Sequence, residues 1–263
     1  MSTGADARPR LVVVQHEDGT GPGWWGDWLT GAGLDLDIRH PYAGDPLPAA
    51  TSGAGLLVLG GAMGPEDDDA SPRLPATRDL LADAVAAGVP TFGICLGAEL
   101  LAVACGGSVR RGVAGPELGV LEIERLPAAD DDPVLAALPA RSRVLQWHWE
   151  EMDTLPPGSV LLARSAAYRH QAFRLGDRAW GLQFHIECDA DMIADWTRTD
   201  VAALDELGYD AEAVVAATAE ILADVEEVWQ PFAARFAALA LGTLPNADIP
   251  QPGTLRTLPL LGQ

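Results

Sequence analysis

The chain has 263 residues, of which 48% are hydrophobic, and a formal net charge of -21 at pH 7. This length accommodates one large α/β domain or two small ones, with enough apolar residues for a core that needs no disulfides or metals. The excess of 38 acidic over 17 basic residues repels phosphate backbones and anionic lipid surfaces, which argues against a nucleic-acid partner.

Cysteine use and the amino-terminal segment predict the compartment. The three cysteines, Cys95, Cys105 and Cys188, are an odd number without a pairing pattern, which indicates a reducing environment. The first ten residues, MSTGADARPR, lack the apolar core of a secretory signal. No stretch approaches the roughly 20 apolar residues of a membrane span. We therefore expect a cytoplasmic protein without a membrane partner.

The amino-terminal third alternates predicted strands and helices. Its strand candidates are continuously apolar, and the stretches between them repeat apolar residues at helical spacing. This order predicts a parallel sheet with helices on both faces. The predicted strands are residues 11–14, 34–40 and 55–59, and the predicted helices are residues 24–32 and 77–87.

The alternation of strands and helices stops between about residues 109 and 184, where strand candidates follow one another with turns between them. This pattern predicts a strand-rich second half, as an antiparallel extension or as the far side of the same sheet. Residues 189–207 and 211–241 return to helical periodicity. The strand candidates are residues 120–126, 143–147, 160–164, 171–175 and 180–184.

The domain organisation follows from what is missing. No internal repeat or linker divides the chain, so residues 1–241 are expected to form a single domain. Residues 242–263 are rich in proline and glycine and are expected to form a loosely attached tail. The five histidines are scattered without the spacing of metal ligands, so we predict no metal and no other cofactor.

Residues 93–97 read GICLG and place Cys95 between two glycines at a predicted strand-to-helix junction. A sharp, strained turn of this kind needs small neighbours, and it raises the central side chain to the carboxyl end of the sheet. The N–H groups of the following helix are expected to lower the thiol pKa and to stabilise an oxyanion. A buried structural cysteine is the alternative interpretation.

Residues 183–187 read QFHIE and offer the base that a cysteine nucleophile needs. In a strand, His185 and Glu187 point to the same face. Glu187 then accepts a hydrogen bond from one imidazole nitrogen and leaves the other free to face Cys95. A lone histidine at a strand end is usually structural, but the two motifs in one chain favour catalysis.

GICLG together with QFHIE resembles the class I, or triad-type, glutamine amidotransferase family. The resemblance extends from the first strand to about Trp196 and includes the glycine-rich LGGAMG of residues 59–64. It also includes QWH at 146–148 and QAFR at 171–174, which look like stand-alone proteins related to the glutaminase part of GMP synthases. It implies an α/β fold with an open, mostly parallel, flavodoxin-like sheet flanked by helices.

The resemblance also implies a reaction. Cys95 attacks the side-chain carbonyl of glutamine to form a γ-glutamyl thioester and release ammonia. His185 moves the proton and then activates water, while Glu187 orients His185.

The resemblance further implies an oxyanion hole. The backbone N–H of Leu96, with that of Gly60 or Gly61, contributes about 3 kcal/mol per donor. Without the resemblance, a tight turn explains the two glycines equally well. An aromatic core with a satisfied histidine is the favoured explanation of Trp147 and His148.

One residue departs from the family pattern. Many members carry glutamine four positions after the nucleophile, where this chain has Glu99. A carboxylate accepts hydrogen bonds from a substrate ammonium but repels a substrate carboxylate. The γ-glutamyl hydrolases have a similar glutamate, so the substrate is a small molecule, either glutamine or another γ-glutamyl compound.

Three functions stay open at this stage. The leading one is a glutaminase of the amidotransferase type. Its possible partner is a separate synthase subunit, because the chain lacks a GxxxxGK[S/T] phosphate loop. The second function is a γ-glutamyl peptide or γ-glutamyl amine hydrolase. The third is a catalytically silent binding or regulatory module, which the complete set of Cys95, His185 and Glu187 disfavours.

Overall fold

A nine-stranded mixed sheet forms the centre of the molecule in the computed structural model, which describes residues 7–244. The strand order across this sheet is β2-β1-β3-β4-β11-β10-β9-β6-β7. A separate two-stranded sheet pairs β5 with β8. The strands are Arg10–Val14 (β1), Asp35–Arg39 (β2), Gly55–Val58 (β3), Thr91–Ile94 (β4), Ser108–Arg111 (β5), Glu117–Arg125 (β6), Arg141–His148 (β7), Glu150–Thr154 (β8), Ser159–Ser165 (β9), Ala172–Leu175 (β10) and Ala179–Leu182 (β11).

Strands β2, β1, β3, β4 and β11 are parallel neighbours. Every residue of β3, β4 and β11 is buried, as expected where helices cover both faces of a sheet. The order of the first four strands is that of a flavodoxin-like sheet. The predicted α/β class and the parallel sheet are therefore confirmed.

The antiparallel extension begins at β10, which pairs with β11 and β9, and it continues through β6 to β7. The strand-rich second half is thus both an antiparallel extension and the far side of the same sheet. Strands β5 and β8 were not predicted. Both are charged and partly exposed, and residues such as Arg110 and Glu151 pair across them, so their apolar pattern is weak.

Six helices accompany the sheet in the described part of the chain. The longest, α6, packs Trp229, Phe232 and Phe236 into the core. The predicted helix over residues 189–207 is in fact two helices, because the chain turns at Asp200, which ends α4 and precedes α5. The helices are Gly23–Gly31 (α1), Leu74–Ala86 (α2), Leu96–Ala104 (α3), Ala190–Thr199 (α4), Val201–Leu207 (α5) and Ala211–Ala240 (α6).

The predicted tail begins two residues after the end of α6. Leu244 is buried against the core, and residues 245–263 of the predicted tail lie outside the described residues. Within residues 7–244, no helix combines the length and apolar character that crossing a bilayer requires.

Candidate active site

Cys95 occupies the junction between β4 and α3, at the carboxyl end of the parallel strands. Its φ of 51° and ψ of -114° make it the one non-glycine residue with positive φ in residues 7–244. Its N–H donates to the Leu182 carbonyl of the neighbouring strand at 2.8 Å. A side chain tolerates such backbone angles only where the surroundings hold it there, and this is common at functional sites.

The two glycines of GICLG allow close packing around this turn. A Cβ on Gly93 would lie 2.5 Å from the Gly97 carbonyl oxygen, and one on Gly97 would lie 2.0 Å from the Val58 carbonyl oxygen. Any larger residue would push α3 away from β3 and β4. The predicted need for small residues on both sides of Cys95 is confirmed.

His185 and Glu187 form a buried pair beside the nucleophile. His185 Nδ1 lies 2.7 Å from Glu187 Oε1, and Glu187 Oε2 accepts from the Ile186 N–H at 2.9 Å. Both residues are at most 4% exposed. The Nδ1 contact requires Nδ1 to carry the hydrogen, so Nε2 is the acceptor of the neutral imidazole, and this buried Nε2 has no hydrogen-bond partner within residues 7–244.

The backbone that carries this pair differs from the prediction. Strand β11 ends at Leu182, so His185 lies in irregular chain, held by a single bridge in which its N–H donates to the Leu145 carbonyl at 2.9 Å. The two side chains meet because Glu187 folds back onto the imidazole. The alternation of an extended strand does not bring them together.

Cys188 illustrates the same departure. A continuing strand would turn its side chain to the opposite face, away from the pair, but β11 ends at Leu182 and the thiol lies beside the pair. Ligand atoms of His185, Glu187 and Cys188 all lie within 4.8 Å of one another, the one such group of metal-binding side chains in residues 7–244. Burial and the Glu187 carboxylate raise the pKa of the Cys188 thiol well above its usual value.

The glycine-rich loop after β3 approaches both reacting side chains. A Cβ on Gly60 would lie 3.3 Å from His185 Cε1 and 3.6 Å from Cys95 Cβ, so Gly60 lies between the imidazole and the cysteine. A Cβ on Gly61 would lie 3.0 Å from Leu96 Cδ2. The structure therefore brings the three residues predicted for the oxyanion hole next to Cys95.

The thiol of Cys95 is less acidic than the sequence predicts. Burial raises its pKa well above the usual value, and the nearby carboxylates of Glu99 and Glu187 raise it further. The Leu96 N–H at the start of α3 lowers this pKa, as expected, but its effect is smaller. The thiol itself points towards the Trp147 carbonyl oxygen, with 3.9 Å between sulfur and oxygen.

Glu99 lies one helical turn after Cys95 and is 3% exposed. Burial raises the pKa of this carboxyl to about 7, although a hydrogen bond from Gln183 Nε2 at 2.8 Å acts in the opposite direction. The other polar atom of this amide, Gln183 Oε1, is buried and receives no hydrogen bond from the described part of the chain. The buried carboxyl therefore loses its proton near neutral pH, well above the usual range of a glutamate.

A pocket of about 490 Å³ opens over the nucleophile. It is lined by Cys95, His185, Glu99 and the loop at Gly61. The lining also includes residues that no sequence motif indicated, because they come from five separate segments of the chain. These are Glu17, Asp18, Asp67, Arg111, Trp149, Glu150, Trp196 and Asp200.

His148 reaches this pocket from β7 and is held by two oxygen atoms. Its Nδ1 lies 2.7 Å from the Glu150 carbonyl oxygen and its Nε2 lies 3.1 Å from Glu117 Oε2. Gln171 Nε2 donates to the same Glu117 carboxylate at 2.8 Å, and Gln171 Oε1 accepts from Gln146 at 2.7 Å. The interpretation of His148 as a satisfied histidine is confirmed, and the network fixes the pocket wall.

The family follows from a comparison with known proteins. The model of the family described as Glutamine amidotransferase class-I matches residues 35–192, which include the cysteine turn, the glycine-rich loop and the His185–Glu187 pair. The chain belongs to the class-I glutamine amidotransferase family. The resemblance inferred from GICLG and QFHIE is therefore confirmed.

The relatives of this amidotransferase include GMP synthase proteins and a gamma-glutamyl peptidase. A glutamine-hydrolysing GMP synthase subunit of Methanoculleus marisnigri is 34% identical over 58% of this chain and 77% of its own length. The GMP synthase of Thermomicrobium roseum is 38% identical over 51% of this chain, but the match covers only 23% of that enzyme. Gamma-glutamyl peptidase 4 of Arabidopsis thaliana is 33% identical over 40% of this chain and 42% of its own length.

The fold of the family is seen directly in a solved structure. A glutamine amidotransferase from Thermotoga maritima superposes with a TM-score of 0.80 at 26% identity. The superposition covers 88% of this amidotransferase and 99% of the Thermotoga chain. The flavodoxin-like, amidotransferase-type sheet expected from the sequence is thus confirmed.

Proposed function

We propose that this amidotransferase hydrolyses a γ-glutamyl amide bond, by default that of glutamine, through a thioester on Cys95. One observation carries the proposal. Cys95 and the partnerless Nε2 of His185 line one pocket, and the Nδ1 of that imidazole is held by Glu187. A nucleophile, a base with a free nitrogen and a group that fixes the base are the parts that acyl transfer requires.

The proposed reaction has two steps. The Cys95 proton moves to His185 Nε2 as the sulfur attacks the γ-carbonyl carbon, and His185 then gives this proton to the departing amine as the C–N bond breaks. Water then attacks the thioester and gives a proton to His185, the C–S bond breaks, His185 returns this proton to the Cys95 sulfur, and glutamate leaves. The N–H groups of Leu96 and of Gly60 or Gly61 are proposed to stabilise the oxyanion in both steps.

The raised pKa of the Cys95 thiol means that His185 must accept its proton during the reaction. In the free protein, burial and nearby carboxylates keep Cys95 protonated. When a substrate carbonyl oxygen contacts the Leu96 N–H, this N–H donates to the negative charge that develops on the oxygen, so transfer of the Cys95 proton to His185 is favoured. Glu187 stabilises the resulting imidazolium.

A second candidate is a γ-glutamyl peptide or γ-glutamyl amine hydrolase. Glu99 favours it, because this carboxyl replaces the glutamine of many family members, and the gamma-glutamyl peptidase relative is consistent with it. The two candidates share the acyl chemistry and differ in the leaving amine. If the substrate is glutamine, we propose that a separate synthase subunit receives the ammonia, since two relatives are described as GMP synthase proteins.

The test measures glutamate release from glutamine and from a panel of γ-glutamyl amides, with the wild-type protein and Cys95→Ala. A glutamine analogue with a reactive diazoketone is expected to label Cys95 and no other cysteine. Cys105 and Cys188 serve as internal controls for labelling. Absence of both glutamate release and labelling would instead support the silent binding module.

A further inference from the structure

The proposed function does not specify which amine departs when the γ-glutamyl bond breaks. The charge of the pocket indicates which amines fit. We infer that the amine half of the substrate carries a second, protonated amino group, as in the γ-glutamyl amides of alkyl diamines and polyamines. The inference rests on the proposed function, because it concerns what the same pocket accepts. It is carried by the carboxylates, the indole rings and the partnerless imidazole nitrogen that line this pocket.

Six carboxylates line the pocket, against a single arginine. Arg111 pairs with Glu150 at 3.2 Å. Within residues 7–244, the other five carboxylates have no cation at ion-pair distance, and they accept hydrogen bonds from neutral donors instead. These five are Glu17, Asp18, Asp67, Glu99 and Asp200.

The carboxylates fall into an inner and an outer group. Glu99 and Glu150 act electrostatically on Cys95 and so lie close to the nucleophile. Glu17 and Asp200 are close enough to interact electrostatically. Burial raises the pKa of Glu17, and the negative charge of Asp200 raises it further. Neither of these two is among the carboxylates that act on the thiol.

The division matches the two halves of the proposed substrate. A γ-glutamyl group bound with its γ-carbonyl carbon at Cys95 brings one α-ammonium, for which the inner carboxylates suffice, and one α-carboxylate, for which the lining offers Arg111. The outer carboxylates then have no cation from the glutamyl half. A protonated amino group on the leaving amine offsets the repulsion between Glu17 and Asp200, whereas ammonia from glutamine leaves both without a partner.

The apolar lining fits the carbon chain of such an amine. Trp147, Trp149 and Trp196 all face the pocket, and Trp196 packs edge-on against His185 with 4.8 Å between ring centroids. The guanidinium carbon of Arg111 lies 6.0 Å from the centroid of the Trp149 ring. Indole faces bind both methylene groups and cations, and the pocket volume of about 490 Å³ exceeds what glutamine alone fills.

The outer carboxylates are also held firmly in place. Trp147 Nε1 donates to Asp200 Oδ2 at 2.7 Å, and the Ala62 N–H donates to Glu17 Oε1 at 2.7 Å. The turn between α4 and α5 positions Asp200, and the loop after β1 positions Glu17. Each carboxylate keeps a second oxygen for a ligand, so both are fixed before substrate binds.

The experiment compares three γ-glutamyl amides with the same four-carbon chain. The amide of 1,4-diaminobutane ends in an ammonium, that of butylamine in a methyl group and that of 4-aminobutanoate in a carboxylate. We expect kcat/KM of the first to exceed that of the second by about tenfold, and that of the third to be lower still. Glutamine is measured alongside and is expected to be a poorer substrate than the diamine amide.

Two variants locate the effect. Glu17→Gln with Asp200→Asn keeps both hydrogen-bond acceptors and removes both charges, so we expect the preference for the diamine amide over the butylamine amide to disappear through KM. Glu220→Gln makes the same kind of change on an exposed face of α6 and is expected to leave the preference intact.

The outcomes separate this inference from the function on which it rests. Equal or faster turnover of the neutral or acidic amide, or a higher kcat/KM for glutamine, overturns the charge preference and leaves γ-glutamyl hydrolysis standing. No glutamate from any of the four compounds, together with unlabelled Cys95, overturns both. The comparison on the wild-type protein decides the matter even if the double variant does not fold.

Discussion

Replacement of Glu99 by glutamine is expected to make the protein more stable at neutral pH, although it alters a buried residue beside the nucleophile. The pKa of this carboxyl is about 7 in the folded protein, against an ordinary value of 4.5. Each pKa unit corresponds to about 1.4 kcal/mol, so ionised Glu99 destabilises the folded state by about 3 kcal/mol. Glutamine avoids this ionisation.

The sign follows from the two pKa values. Below pH 4.5 the carboxyl is protonated in both the folded and the unfolded protein and has no effect. Between pH 4.5 and 7 only the unfolded chain loses the proton, so stability falls as pH rises, and above pH 7 the loss is complete. The stability gap between Glu99→Gln and wild type therefore widens by about 2 kcal/mol between pH 5.5 and 8.5.

Glutamine also suits the local hydrogen bonds. Its carbonyl oxygen keeps the acceptor that Gln183 Nε2 now contacts. No compensating loss of packing is expected, because glutamate and glutamine have the same shape.

The assay is urea unfolding at a series of pH values for wild type, Glu99→Gln and Glu220→Gln. The series begins at pH 5.5, away from the isoelectric point near 4.3. Glu220 lies on an exposed face of α6, so its variant reports any general effect of removing one carboxylate. A gap that does not change with pH, or a less stable Glu99→Gln protein at pH 8.5, would refute the reasoning.

Three further outcomes follow from the geometry. Gly60→Ala places a methyl group 3.3 Å from His185 Cε1 and is expected to lower kcat by about tenfold or more; Gly31→Ala, where a Cβ meets nothing within 4 Å, is the matched control. Alkylation of Cys95 by iodoacetamide is expected to accelerate steadily as pH rises past 9, and at pH 8.5 to be faster in Glu99→Gln, because one of the charges that raise the thiol pKa is gone; a plateau below pH 8 would contradict this. His185→Gln is expected to reduce kcat for glutamate release by about 10²- to 10⁴-fold, and unchanged turnover would exclude His185 as the base.

The sheet and the central residues of the site were predictable because their signals are local. Continuous apolar runs identified β1 and β3, and the glycines around Cys95 identified the turn. A histidine and a glutamate two residues apart identified the pair, although the reason given, strand alternation beyond Leu182, was wrong. Short motifs fix chemistry even where the backbone conformation around them differs from the regular one.

The remainder of the pocket was not predictable, because it is assembled from distant segments. Trp147 and Asp200 come from a strand and a helix junction, and only tertiary structure brings their side chains within 2.7 Å. The acidity of the Cys95 thiol was mispredicted for a similar reason. A helix N-terminus is visible in the sequence, whereas the burial that outweighs it depends on the whole fold.

The pairing of β4 with β11 also bears on when the thiol becomes reactive. Strand β11 lies between β4 and β10, and its last residue, Leu182, pairs with Ile94 directly before the nucleophile. His185 follows Cys95 by 90 residues, and closing so long a loop costs conformational entropy that the contacts of the assembled sheet must offset. The imidazole therefore faces Cys95 only where β11 is paired with β4, so the proton acceptor depends on the centre of the sheet being complete.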